Sequence, residues 1–268
     1  QKFIKNDSYR WVRTQMKEYA RQNMTFSTHV HIGLKDPEMI IKVTNALRCW
    51  IAPLLALSVN SPFFNNLNTG MMSSRIFQFG VFPRTNIPSY IDDMNKYLEI
   101  IDKLKSNKSI EKPRHIWWKI RPHVDFGTVE FRMFDAQRSL SNVKMLAALS
   151  QALVHKIYTE IKNGKDFKDY NMEYLNDGLW KAASTGLNSS IINPISEKKE
   201  SMKNYVNRML EYLDTSLVYF DNVEVKKIVS FILDGNTEAE IQLKLYNNKK
   251  NNIEKLKNFL IQDVQYDL

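Results

Sequence analysis

Two short runs in this chain could do chemistry: residues 27–33 read Ser-Thr-His-Val-His-Ile-Gly, and residues 127–135 read Gly-Thr-Val-Glu-Phe-Arg-Met-Phe-Asp. In an extended strand alternate side chains share a face, so His29 and His31 point one way, and Glu130 and Arg132 do the same on their own strand. Imidazole and carboxylate beside imidazole and guanidinium can hold a divalent cation next to an anion, as a site handling metal-bound phosphate requires. Either pair alone is more often a solvated face or a cross-strand ion pair. The apolar neighbours, Phe26, Val30 and Ile32 in one run and Val129, Phe131 and Met133 in the other, argue for strands with one packed face and one face lining a cleft.

The elements that must position these strands can be read from periodicity and caps. Asn6-Asp7-Ser8 offers a cap for an amphipathic helix over 8–23, and strand 26–33 comes after it. Asp36-Pro37 starts a longer helix to about Val59, stopped by Asn60-Ser61-Pro62. Residues 60–88 carry little periodicity and predict a long ordered loop, followed by a helix over 89–105 and a polar linker over 106–113. Strands over 115–122 and 127–135 come next, joined by a turn at His123–Phe126. From Ser139 onward strand signals fade, and helices are expected over 139–162, 171–185, 198–218, 222–233, 237–247 and 250–262. Strand-rich then helix-rich order predicts an α+β fold: one domain over 1–268, with a sheet-bearing part over 1–138 and a helical part over 139–268.

Composition narrows the function classes. With 268 residues, 43% of them hydrophobic, the chain can bury a full core. No uninterrupted run approaches the ~20 apolar residues that span a bilayer, the nearest being Cys49–Val59, broken by Pro53 and Ser58. The sole cysteine, Cys49, cannot form an internal disulfide, and the opening residues carry no short apolar leader core, so a reducing cytoplasm is expected. The net charge of +9 comes from scattered lysines such as Lys198-Lys199 and Lys226-Lys227, without the aromatic interleaving of a nucleic-acid binder.

These residues resemble the type 2 glutamate-cysteine ligase family, the YbdK-like carboxylate-amine ligases. The likeness runs through Asn6-Asp7-Ser8-Tyr9, residues 28–33, Ala56 to Phe63, Thr69-Gly70 with Ser73-Ser74-Arg75, Trp117 to Pro122, Gly127 to Asp135, and Ala182-Ala183 with Gly186-Leu187. Several motifs in one order are far more specific than any one of them. The resemblance implies a fold like that of glutamine synthetase, an antiparallel sheet forming a funnel for ATP and divalent metal, Mg²⁺ or Mn²⁺. It implies that His29 and Glu130 are metal ligands, and that His31, Arg121 and Arg132 face the nucleotide phosphates or an acyl-phosphate, with both arginines catalytic. Arg75 resembles the family's substrate-carboxylate arginine, a role suited to a guanidinium that can form two parallel hydrogen bonds, and Asn60, which opens its loop, is implied to bind substrate with it.

The activity so implied joins the carboxylate of an amino acid, glutamate by default, to an amine such as that of cysteine. ATP first phosphorylates the carboxylate, and the amine then displaces phosphate. A homodimer is implied, as is an upstream segment with a Glu-x-Glu strand supplying further metal carboxylates and the first sheet strands. On this reading Glu130→Gln spares folding and removes metal-dependent turnover. The chain departs from the family's usual pattern at Lys119, where an acidic residue is common, at His123, at Asn68 in place of Asp, and at Ser184 in place of arginine. The competing reading is a non-catalytic descendant that binds a nucleotide or an amino acid as a regulatory module.

Overall fold

The computed structural model describes residues 7–248 and 252–262. Its helices are α1 (Asp7–Gln22), α2 (Pro37–Leu47), α3 (Ile51–Ser58), α4 (Ser74–Gly80), α5 (Met94–Ser106), α6 (Leu140–Lys162), α7 (Met172–Thr185), α8 (Met202–Tyr219), α9 (Val225–Leu233), α10 (Glu238–Asn248) and α11 (Ile253–Gln262). Its strands are β1 (Val30–Gly33), β2 (Phe63–Phe64), β3 (Leu67–Asn68), β4 (Ile120–His123), β5 (Thr128–Phe131), β6 (Ser190–Ile192) and β7 (Lys199–Ser201). The fold is α+β, with a three-stranded antiparallel sheet in the order β1-β5-β4 and two small hairpins, β2-β3 and β6-β7.

The register of the main sheet builds a polar row. His31 lies opposite Glu130, and Glu130 lies opposite Arg121, so the three side chains share one face across the sheet. On the other face Val30, Ile120, Val129 and Phe131 are buried against α2 and α6. This apolar face continues without a break into α3, α7, α8 and α9, so one core cluster runs from Val30 to Ala239, across the boundary between the sheet-bearing and helical parts. A second, smaller cluster packs α5 through Met94, Tyr97 and Ile101 onto Ile41 and Ile116.

The strands are shorter than their sequence patterns predict. Pairing stops at Val30↔Phe131 and resumes only at the isolated bridge Ser27↔Asp135. Two residues on one side, 28 and 29, then face three on the other, so an extra residue bulges out within 132–134. Residues 116–119 lie outside β4, and the Trp117 and Lys119 N–H groups donate instead to the carbonyls of Arg84 and Asn86. The helix expected over 37–59 is two, α2 and α3, separated by a 3-10 turn at Arg48–Trp50. There the buried Arg48 guanidinium bonds Asp169 at 2.5 Å and lies over Tyr170. Together these helices form a stretch, Pro37–Ser58, long and apolar enough to cross a membrane, and it is 94% buried inside the protein's own core. Cys49 sits in it, its thiol pushed up to about 12 by burial.

The loop expected over 60–88 holds the β2-β3 hairpin and α4, and the helix expected over 198–218 begins with β7. The expected cap at Asn6 and the start of the last helix at 250 lie outside the described residues.

Candidate active site

Glu130 is the centre of the polar row and is only 2% exposed at its side chain. Its Oε2 accepts from Arg121 Nε at 2.8 Å, with Nη2 at 2.5 Å. Its Oε1 accepts from Arg132 Nη1 at 2.6 Å and has His29 Nδ1 at 3.3 Å and His31 Nε2 at 3.4 Å. Burial alone would raise this carboxyl, but Arg132 and Arg121 outweigh it and hold Glu130 below the usual carboxylate value. The expected convergence of His29, His31, Arg121, Glu130 and Arg132 is what the strands produce, because residues two apart on one strand meet their cross-strand neighbours on the same face.

Their roles separate once the hydrogen bonds are traced. Arg121 also donates to the Arg114 carbonyl at 2.9 Å and to that of Ile116 at 2.5 Å, and it is buried, so its donors are spent inside the protein. It is a counter-ion beneath the site, and it does not line the neighbouring cavity expected to take phosphate. His31 bonds Thr128 Oγ1 at 2.9 Å and stands beside His123 and Phe126, also away from that cavity. His29 does line it; burial first, and then the charge of Arg132, lowers its imidazole to about 4, so the ring is neutral at pH 7.

The metal expected at His29 and Glu130 does not fit these donors as they stand. Two imidazoles and one carboxylate, already neutralised by two guanidiniums, are poor in the oxygen ligands that Mg²⁺ demands. Among the described residues no group of three or more His, Cys, Asp or Glu is placed to hold a metal ion.

Beside this cluster opens a cavity of about 660 Å³. The residues just outside β1 and β5, His29 and Arg132, form one part, α4 contributes Arg75 and Phe79, Trp117 closes one side, and α1 with the chain leaving it covers the front from Tyr9 to Ser27. The α1 helix is held by Trp11, whose ring stacks on His115 with centroids 3.8 Å apart. Arg75 reaches the cavity as expected, but from behind: Nη1 and Nη2 donate to the carbonyls of Met133 and Arg132, each at 3.1 Å. Its Nε is buried without a hydrogen-bond partner, and so is Arg132 Nε. Two cavity-lining guanidiniums therefore each keep an unsatisfied donor.

Asp135 fixes Arg75 in place. It lies 3.8 Å from Arg75 Nη1 and accepts from the Asn60 backbone N–H at 2.8 Å, Ser61 Oγ at 2.8 Å and Ser73 Oγ at 2.9 Å. Burial pulls this carboxyl up, with Arg75 opposing. Asn60, expected to bind substrate, is part of this clamp: its Nδ2 donates to the Ala136 carbonyl and its Oδ1 accepts from Gln242. It does not line the cavity.

Sequence reasoning passed over Asp135, Phe79 and Phe82. Asp135 closes the 127–135 run, and the Ser73-Ser74 start with Ile76 and Phe79 three apart is a helical signal, though a short one.

Comparison with known proteins places this geometry among relatives. The model of glutamate-cysteine ligase family 2 matches residues 1–258. A protein of Solibacter usitatus named "Putative glutamate-cysteine ligase 2" is 31% identical over 268 residues, covering 100% of this chain and 69% of the relative. Proteins of the same name from Sorangium cellulosum and Thermobifida fusca are 32% and 36% identical over 244 and 192 residues, 91% and 72% of this chain and 65% and 48% of theirs. The chain spans about 69% of the length of the first of these curated relatives and less of the other two.

Proposed function

The chain belongs to glutamate-cysteine ligase family 2, and on that premise we propose that it is the larger part of an ATP-dependent ligase joining an amino-acid carboxylate, glutamate by default, to an amine such as that of cysteine. The observation that carries this reading is the cavity beside Glu130, lined by the guanidinium-bearing side chains of Arg75 and Arg132. Buried guanidiniums lining a cavity suit a substrate that arrives anionic and becomes more so, because their charge is held in place and partly stripped of water.

In the proposed reaction a carboxylate oxygen attacks the terminal phosphorus of ATP and ADP departs. The amine then attacks the acyl carbon and phosphate leaves. Arg132 offsets the charge on the phosphoryl group in flight, held in place by Glu130, while Arg75 orients the carboxylate. The Phe79, Phe82 and Trp117 walls keep water from the acyl-phosphate. No step is assigned to a metal ion, since the donors at Glu130 do not suit one. Among the described residues β1 pairs with β5 alone, and its other edge is the place we propose for the upstream segment of the family.

The test is phosphate release by the purified protein with ATP in a magnesium buffer. Release that needs both L-glutamate and an amine, and that falls at least tenfold in Arg132→Met, supports the ligase. Release independent of any amino acid, or none under any pairing, refutes it for this chain.

A further inference from the structure

Lys119 lies at the meeting point of α4 and the strand-end segments, and it is 2% exposed. Its backbone is fixed on both sides: its N–H donates to the Asn86 carbonyl at 3.1 Å, and its carbonyl accepts from the Arg132 N–H at 2.8 Å. Its ammonium lies 5.5 Å from the centroid of the Phe79 ring, and the Arg75 guanidinium lies 5.9 Å from the same centroid. Among the described residues this ammonium has no carboxylate or carbonyl within hydrogen-bonding distance, although a lysine so deeply buried is almost always paired. The nearby charges are Arg75 from α4, Arg132 from the end of β5, and Asp135, which is already held by Arg75, Asn60, Ser61 and Ser73. Two cations, Arg75 and Lys119, thus face one aromatic ring of the cavity wall with the charge of Arg132 nearby, and Arg75 and Arg132 each have a buried Nε–H left over. This is more positive charge than the protein's own carboxylates answer.

We propose that the floor of the cavity, lined by Arg75, Arg132 and Phe79, is an oxyanion subsite in which Lys119, behind the Phe79 ring, is a specificity-determining cation that favours through its charge a substrate end bearing a carboxylate or phosphoryl group. The proposal rests on the ligase reading only in naming these two oxyanions as the ones such a substrate brings. It gives Lys119 a function that an acidic residue at the same position could not have. An acidic residue there would welcome an ammonium, whereas this trio repels one and gains from an oxyanion.

The electrostatics give a signature. With no anion present, burial first and then Arg75 and Arg132 lower Lys119 to about 7, so at pH 7 a large share of the molecules carry it neutral. An oxyanion on the floor favours the charged form and therefore raises Lys119 and takes up a proton.

The experiment is an NMR titration of Lys119 Cε in the protein, alone and saturated with L-glutamate or with inorganic phosphate. It is paired with calorimetric binding of both probes at pH 7 in buffers of different ionisation enthalpy. We expect the Lys119 midpoint to rise by at least one pH unit with the oxyanion that fits, and a fraction of a proton to be taken up. Lys119→Met should bind that probe about tenfold or more weakly and without proton uptake, and Lys119→Arg should restore most of the affinity without the uptake. A response to L-glutamate alone assigns the floor to a carboxylate, and a response to phosphate alone assigns it to a phosphoryl group. A Lys119 midpoint that moves with neither probe, or unchanged affinity in Lys119→Met, overturns the subsite. No turnover is measured, so a protein that binds and does not ligate sinks the ligase reading alone, and a ligating protein whose Lys119 ignores both probes sinks the subsite alone.

Discussion

Glu130→Gln is the sharpest test of how this site is built. A metal-ligand role would predict a mutant that folds as well as the parent or better. The geometry predicts the opposite. Glu130 is the only carboxylate touching Arg121 and Arg132 among the described ion pairs, and all three side chains are 11% exposed or less. The amide keeps one acceptor oxygen, so one arginine retains a hydrogen bond, while the other meets an NH₂ group, donor against donor. Breaking a buried pair by removing one partner's charge costs about 3–5 kcal/mol. For a chain of this size that is a fall in melting temperature of roughly 6–20 °C, at about 2–4 °C per kcal/mol. The assay is thermal or urea unfolding at pH 7 and again on acidification. The folded Glu130 carboxyl sits below its unfolded value, so its contribution is full above the ordinary carboxylate range and is lost as pH falls through the folded value. The gap between parent and mutant must therefore close towards acid pH. A mutant melting within about 2 °C of the parent at pH 7, or a gap that does not narrow in acid, refutes the counter-ion account.

Other consequences can be checked with the same tools. Arg121→Lys cannot replace two bonds to Glu130 and two to backbone carbonyls, so urea unfolding should show a loss of about 2–3 kcal/mol. Asp135→Ala should free the 60–75 loop, read as faster amide exchange at Asn60 and Ser61 and about 2–4 kcal/mol lost stability, whereas exchange as slow as in the parent would contradict the clamp. Between pH 4 and 6.5 the unfolded chain protonates His29 and the folded one does not, so this residue makes stability rise with pH in that window, and His29→Gln should flatten the slope. Lys119→Met replaces an unpaired buried amine by an apolar isostere and should leave the melting temperature unchanged or raise it at pH 7; a large fall would mean that the ammonium is paired.

What could be read in advance was local. The row His31–Glu130–Arg121 arises from alternation along short strands and from a hairpin turn at residues 123–126, both written in neighbouring residues. What each arginine does was not written there. Arg121 is withdrawn from the cavity by carbonyls that a 3-10 turn happens to aim at it, and no periodicity reports the path of such a turn. Asn60 shows the same limit at long range, since the partner of its side-chain oxygen, Gln242, comes from α10. The break at Arg48–Trp50 is by contrast local: Pro53 has no N–H for the Cys49 carbonyl, which accepts from the Tyr205 hydroxyl at 2.9 Å, and a single helix over 37–59 ignores that proline.

The cavity is roofed by the helix that opens the described chain, and this ties two equilibria together. If α1 is docked in a fraction of the molecules, any ligand that needs the closed chamber binds with an apparent dissociation constant raised by the inverse of that fraction. The stack of Trp11 on His115 therefore contributes to affinity without touching the ligand. By the same reciprocity a bound ligand tightens the helix, so protection of α1 from proteolysis should rise with ligand concentration in step with occupancy.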